Sequence, residues 1–201
     1  MRIWNRIRSV GDLILCDLYR YTGQTSLKSL LSSYVTTPGF HFGVWFRICS
    51  EFDAAPMKYL LLRKRVRFGI DIYPGTRIGR GFYIGHFGGI VVSSRAAIGE
   101  DCNISQGVTI GMMSRGKRKG YPEIGDRVYI GPGAKVLGKV RIGDDAAIAA
   151  NCVVIDDVPD GGVVVGIPGR VVSLDGAGEY IANPVAGARR ALKPEGGPAS
   201  P

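Results

Sequence analysis

Two histidines stand in this chain of 201 residues, His41 and His86. His86 lies in YIGHFGGIVV (83–92), among glycines and aliphatics, where a titratable ring has two readings. It is either core filling or a base, since a neutral imidazole with an ordinary pKa of about 6.5 can take a proton from an attacking hydroxyl near neutrality. The four cysteines, Cys16, Cys49, Cys102 and Cys152, form no Cys-x-x-Cys pair. They read as small buried hydrophobes of a reducing compartment, and without a histidine pair beside them no metal-ligand spacing is present. Basic side chains concentrate in LLRKRVRF (61–68) and in SRGKRKG (114–120).

What positions these groups is a repeat. Ile72, Ile78, Ile84 and Ile90 are six residues apart; Ile98, Ile104 and Ile110 keep the spacing after two extra residues; Ile124, Ile130, Val136, Ile142, Ile148 and Val154 resume it. Glycine follows the aliphatic at Gly79, Gly85, Gly99, Gly111, Gly125, Gly131 and Gly143, and small or branched residues recur four places after it, as at Thr76, Val108, Ala134 and Cys152. Helices need apolar returns at three and four residues, and hairpin sheets need period two, so neither template holds thirteen aliphatics in this phase. A hexapeptide β-helix does, with one short parallel strand per repeat and about 18 residues per coil. Residues 72–165 then build roughly five coils. His86 stands two places after Ile84, off the inward position and among residues too small to cover it, which favours chemistry over core filling. His41 lacks that support and reads as a buried or helix-end structural residue.

The expected class is mainly β, a parallel β-helix, left-handed on the resemblance given below, with a small N-terminal α-helical cap. Residues 1–70 form the cap, with helical apolar spacing over 10–66 and a break at TTPGF; 71–172 form the β-helix with a protruding loop at 112–123; 173–201, rich in Gly, Ala and Pro, form a mobile tail. Charge follows this division. Residues 1–70 carry eleven Lys/Arg against four Asp/Glu, 71–172 twelve against ten, and 173–201 three of each. None of the usual nucleic-acid motifs accompanies the basic third, so a nucleic-acid partner is not expected; a solvated face or a peripheral contact with anionic lipid headgroups is. Neither a secretory signal nor a run of about 18 apolar residues is visible, and the expected location is the cytoplasm or the inner face of the membrane.

With the repeats placed, DIYPGTRIGRGFYIGHFGGIVV, ISQGVTIG, YPEIGD and VYIGPGAKVLGKVRIGDDAAIAANCVVIDDVPDGGVVVGIPGRVV resemble the left-handed β-helix acyltransferases, in the branch of the serine acetyltransferases and polysaccharide O-acetyltransferases. TTPGFHFGVWFRI resembles the helical segment that precedes the β-helix in that branch. The resemblance implies acetyl-CoA as co-substrate, no metal, and a homotrimer with active sites between neighbours; whether two trimers pair through the caps stays open. It implies His86 as general base and Asp71 as the carboxylate that fixes its tautomer, as direct acetyl transfer from a thioester to a hydroxyl requires. Fifteen residues separate the two, close to one coil. The cations Arg115, Lys117, Arg118 and Lys119 of the protruding loop suit the phosphates of coenzyme A, with the backbone around Gly131, Ala134 and Ala149 lining the pantetheine groove.

Three departures bear on the acceptor. Enzymes of this branch that use serine carry Asp before the histidine, where this chain has Gly85, and Arg-His before the loop-closing proline, where it has Gly120 and Tyr121. They also carry Asp-Pro-Ala in the cap, where Gln24, Thr25 and Ser26 stand. A free amino acid needs a fixed cation and a fixed carboxylate, so these losses, with Phe82, Tyr83, Phe87 and Tyr121 as the residues expected around His86, point to a small-molecule or lipid-linked sugar. The expected reaction is O-acetylation of a surface-polysaccharide precursor, with serine O-acetylation in cysteine biosynthesis as the alternative.

Overall fold

The computed structural model describes residues 2–52 and 54–185. Four helices come first, α1 (Arg2–Thr22), α2 (Leu27–Thr36), α3 (Pro38–Glu51) and α4 (Ala55–Phe68). TTPGF does break the helical run: Thr37 is extended and Pro38 opens α3, where a missing N–H costs nothing. Gly69, left-handed at φ 62°, ends α4 and turns the chain into the first strand.

The strands wind around a three-sided prism. One side stacks β1 (Ile70–Ile72), β4 (Ile90–Val92), β7 (Thr109–Gly111), β10 (Lys135–Leu137) and β13 (Val153–Val154). The second stacks β2 (Arg77–Ile78), β5 (Ala97–Ile98), β8 (Glu123–Ile124) and β11 (Arg141–Ile142). The third stacks β3 (Tyr83–Ile84), β6 (Asn103–Ile104), β9 (Tyr129–Ile130), β12 (Ala147–Ile148) and β14 (Val163–Val165), and β15 (Arg170–Ser173) closes it antiparallel. All other pairings between these strands are parallel, and Ile70↔Ile90, Ile78↔Ile98 and Ile84↔Ile104 stack like on like. The result is a left-handed β-helix of five coils.

Burial explains the six-residue phase. Every aliphatic of the repeat lies in the core, only Ile78 being partly exposed, and the residues four places on, Thr76, Val108, Val128, Ala134, Val140, Ala146 and Cys152, fill the space between. Burial pushes the Cys102 thiol up to about 12, so it behaves as a small apolar group. The glycine after each aliphatic answers the close stacking of coils: a Cβ on Gly79 would lie 2.5 Å from the Gly99 carbonyl oxygen.

The lowest coil of a solenoid leaves a ladder of unpaired backbone groups. Here cap side chains take the place of the missing coil. Asp17 Oδ1 accepts from the Phe82 N–H at 2.9 Å; Arg20 donates to the Gly81 carbonyl at 2.7 Å; the Tyr21 hydroxyl accepts from the Ile84 N–H at 2.8 Å. Arg47 donates to the carbonyls of Ile78 and Gly79 at 2.7 and 2.6 Å while binding the Asp17 carboxylate at 2.8 and 3.0 Å.

The expectation of a mobile tail from residue 173 is corrected for 173–185. Ser173 ends β15, and residues beyond it lie on the third side, burying Ala177, Ile181 and Val185. Tyr180 stacks on Tyr129 at 4.2 Å, Asn103 Nδ2 donates to the Tyr180 carbonyl at 2.6 Å, and the Val185 N–H donates to Asp101 at 3.0 Å. Apolar residues spaced four apart outweigh the loop-like composition. Residues 186–201 lie outside the described residues.

Candidate functional site

His86 occupies the corner between β3 and β4, where the chain passes from the third side to the first. The ring is exposed and makes no hydrogen bond or ion pair among the described residues. Its position is fixed from two directions. The Tyr21 hydroxyl holds both backbone groups of Ile84, two residues before it, and burial pushes that phenol's pKa up, keeping it neutral. A Cβ on Gly69 would meet the Gly88 Cα at 3.2 Å, so the corner stacks tightly over the start of β1.

Asp71 is the middle residue of β1, in register with Val91 of β4. Asp71 therefore lies one coil below Val91, while His86 sits in the corner that leads into β4, and among the described residues no hydrogen bond or ion pair joins the two. The carboxylate's recorded partner is Arg65 of α4 rather than the imidazole: Arg65 Nε donates to Oδ1 at 3.1 Å and Nη2 donates to the same oxygen. The Arg65 guanidinium also lies 3.8 Å from the Tyr73 ring centroid. Beside this group a cavity of about 300 Å³ is lined by Leu62, Val66, Ile70, Ile90 and Val91, with Arg65 and Asp71 as its charged residues.

The acceptor-side expectations need revision. Phe82 is buried, and Tyr83 packs against Tyr21 with ring centroids 4.3 Å apart. Tyr121 lies between β7 and β8, at the opposite edge of the first side, where Arg95 sits 5.6 Å from its ring. Within one chain only Phe87 stays next to His86, half exposed and edge-on to Phe68 at 6.1 Å. Position modulo three repeats assigns residues 86 and 121 to different corners, a signal already in the sequence. Gly85 lies in the corner itself, and a Cβ there would meet the Tyr83 ring at 3.3 Å. Gln24 is exposed in the α1–α2 connection, its side-chain oxygen accepting from Ser29 Oγ at 3.3 Å. His41 sits in the first turn of α3, stacked on Tyr34 at 4.2 Å with Nδ1 2.9 Å from the Tyr34 carbonyl; burial holds its pKa below the ordinary value.

The protruding loop folds back as a hairpin through a Met113↔Gly120 bridge. Arg118 is turned inward, donating to Asp157 at 2.9 Å and lying 3.5 Å from Asp156. Arg115, Lys117 and Lys119 are exposed. Lys117, Arg118, Tyr121, Lys139, Arg141 and Asp157 line a cavity of about 360 Å³. Arg118 is thus first an anchor of the loop. Ala134 belongs to the core rather than to a groove wall: its side chain is buried, its N–H donates to Gly131 and its carbonyl accepts from Thr109. Gly131 is required by the next coil, since a Cβ there would meet the Ala150 nitrogen at 2.8 Å, and Ala149 is half-buried on β12's far end.

Sequence reasoning missed Arg65 and Tyr21, which looked like part of a solvated basic face and of an ordinary helix surface. Among the described residues no cluster of three or more His, Cys, Asp or Glu could hold a metal, and no helix is long and apolar enough to cross a membrane.

Residues 121–156 match the family of bacterial transferase hexapeptide (six repeats). The chain is 39% identical over 142 residues to the serine acetyltransferase of Helicobacter pylori (strain J99), covering 69% of this chain and 83% of that protein. It superposes on Neisseria gonorrhoeae serine acetyltransferase in complex with serine with a TM-score of 0.70 and 33% identity, over 83% of this chain and 70% of that one. A serine acetyltransferase in complex with CoA gives a TM-score of 0.68 at 33% identity, over 82% and 70%. Repeat, prism and relatives agree, and the chain belongs to the hexapeptide-repeat left-handed β-helix acyltransferases.

Proposed function

We propose that this chain is an acetyl-CoA-dependent O-acetyltransferase in which His86 takes the proton from an acceptor hydroxyl as the oxygen attacks the thioester carbonyl. The observation that carries the reading is an exposed, unpartnered imidazole on a tightly stacked corner leading into β4, whose Val91 is in register with Asp71 of the preceding coil. The thioester's C–S bond breaks, coenzyme A leaves as the thiol, and the proton held on His86 neutralises the departing thiolate. Asp71 orients the ring and stabilises the imidazolium. The exposed Arg115, Lys117 and Lys119 contact the phosphates of coenzyme A.

Serine is the acceptor that the relatives support, because the relatives described above are serine acetyltransferases and one was solved with serine. This favours the alternative over the first expectation of a surface-polysaccharide sugar. A neutral polyol remains the second reading on one specific observation: Gly85, Gly120, Tyr121 and Gln24 stand where serine-using enzymes carry charges. His86 and the basic loop lie at opposite edges of the first side, so a complete site joins one chain's corner to a neighbour's loop, as a homotrimer provides. Acetyl-CoA use and reduced cysteines suit a cytoplasmic setting.

The test is thiol release from acetyl-CoA with serine and with a panel of neutral sugars, for the intact protein and for His86→Ala. Loss of about 10²–10⁴-fold in the variant is expected for a general base. Equal rates would remove His86 from the mechanism, and turnover of a sugar without turnover of serine would select the second reading.

A further inference from the structure

Gln106 is an exposed side chain on the corner that carries His86, one coil above it, and the mechanism leaves it unused. Ile84 is in register with Ile104, and the Gly85 N–H donates to the Ile104 carbonyl at 3.0 Å. On the far side of the corner the Gly107 N–H donates to the Gly88 carbonyl at 2.8 Å. These two bonds bracket Gln106 against His86 and Phe87, one strand spacing of about 4.8 Å away along the prism. The chain takes eight steps from Ile84 to Val92 but six between their partners Ile104 and Ile110, so the lower corner holds two residues more, and His86 and Phe87 are exposed on it. The backbone at Gln106 is held as well. Its carbonyl accepts from the Gly133 N–H at 2.8 Å, and the next carbonyl, that of Gly107, accepts from Lys135 Nζ at 2.5 Å. The side-chain amide makes no hydrogen bond among the described residues.

Higher on the same corner stand Pro132 and Ala150, two places after Ile130 and Ile148 of the stacked third side. Neither carries a polar side chain, and with Gly131 and Ala149 they make a small apolar path up the prism. A pantetheine arm lying on that path, with its thioester carbon at His86, carries the carbonyl oxygen past the second coil, where the free amide of Gln106 stands. The N–H groups of Gly85, Gly107 and Gly133 are already spent on the neighbouring coils. A donor aimed at the place where charge develops, and held there before the reaction, stabilises the transition state without reorganisation. We propose that Gln106 is a catalytic residue: its side-chain N–H donates to the thioester carbonyl oxygen as the acceptor hydroxyl adds, and so carries the negative charge of the tetrahedral intermediate while His86 holds the proton. The oxygen's electron pair then re-forms the carbonyl, the C–S bond breaks, the departing thiolate takes the proton from His86, and the amide keeps its own protons. The inference rests on the reading of His86 and of the pantetheine path given above.

Because Gln106 is exposed, Gln106→Met, of similar length without a donor, and Gln106→Glu, of the same shape with an acceptor in the donor's place, are expected to fold as the intact chain does, which thermal unfolding checks. Thiol release from acetyl-CoA is then measured on the full chain with serine and with the panel of neutral sugars. Loss of one such donor costs about 10²–10³-fold in kcat, and both variants are expected to show that loss with KM for acetyl-CoA and for the acceptor nearly unchanged. Gln106→Asn, which keeps the donor on a shorter arm, should recover part of the rate. An unchanged kcat in Gln106→Met overturns the proposal. So does a raised KM with kcat retained, because Gln106 would then bind the ground state only. A rate restored by Gln106→Glu overturns it too, since a carboxylate cannot donate to an oxyanion. Should Gln106→Met unfold, the same kcat and KM criteria apply to Gln106→Glu. The base fails separately, as acetyl transfer that survives His86→Ala, and an intact chain that releases no thiol with any of these acceptors overturns both readings.

Discussion

Replacing Arg20 by Met should be one of the most damaging single changes in the cap. The side chain is 2% exposed and donates in three directions: Nε to the Ala182 carbonyl at 2.8 Å, Nη1 to the Gly81 carbonyl at 2.7 Å and Nη2 to Asn103 Oδ1 at 2.7 Å, with Asp101 at 3.7 Å. Methionine fills similar space but satisfies none of these groups. Breaking a buried ion pair from one side costs about 3–5 kcal/mol, much of it from the charge left behind in a low dielectric. Each buried acceptor deprived of its donor costs about 1–3 kcal/mol, and these terms overlap rather than add. We therefore expect a loss of about 4 kcal/mol, which for a chain of this size lowers Tm by about 8–16 °C. Thermal unfolding followed by circular dichroism reads the total. Hydrogen exchange reads its location, and protection should fall first in 177–185, because that segment hangs on Arg20 through Ala182. Arg6→Ala is the comparator, since its ion pair with Glu51 is exposed at 47% and 39% and should be worth less than about 1 kcal/mol. A Tm change for Arg20→Met no larger than that for Arg6→Ala would refute the view that this guanidinium ties cap, coil and C-terminal segment together.

Two further outcomes follow. The Asp157 carboxyl is held below the usual carboxylate range by the Arg141 N–H and by Arg118. A depressed folded value contributes stability above the unfolded value of about 4 and loses it as pH falls through the folded one, so protection factors in the 112–122 hairpin, corrected for intrinsic exchange, should fall below about pH 4 and hold between pH 6 and 8. Installing Gly85→Asp with Tyr121→His restores a carboxylate and an ionisable ring at positions where serine-using enzymes carry them; a charge-assisted contact of about 1.5–3 kcal/mol should raise kcat/KM for serine by at least about tenfold, and an unchanged value would show that these positions do not select the acceptor.

The solenoid was legible because its core repeats. Ile72 through Val154 must each meet the same stacked neighbour, so one periodic constraint is written thirteen times. The cap's contribution is written once. Asp17, Arg20, Tyr21 and Arg47 look like the polar face of ordinary helices, and only the open rung above them explains their burial. The exposure of His86 was legible from its standing off the inward phase, whereas the Arg65–Asp71 ion pair was not, because Arg65's place in a basic run gave no sign of a specific partner. Tyr121 and His86 of one chain stand at different corners, which their coil positions foretell and their shared family role does not. Residues 173–185 were misread because a Gly-, Ala- and Pro-rich composition was weighed ahead of Ala177, Ile181 and Val185, whose burial decides where the folded segment rests.

The closed first rung has a consequence for shape. An exposed row of strand ends is a template onto which another chain can add, and a stacked prism offers such a row at each end. Here one end is filled by a carboxylate, a phenol and two guanidinium groups from the helices. At the other, β15 runs back antiparallel over β14, and the Gly169 N–H reaches down to the Val153 carbonyl at 2.8 Å. The prism therefore has a bottom and a lid, so neither end presents the open row of strand ends onto which a further strand could add.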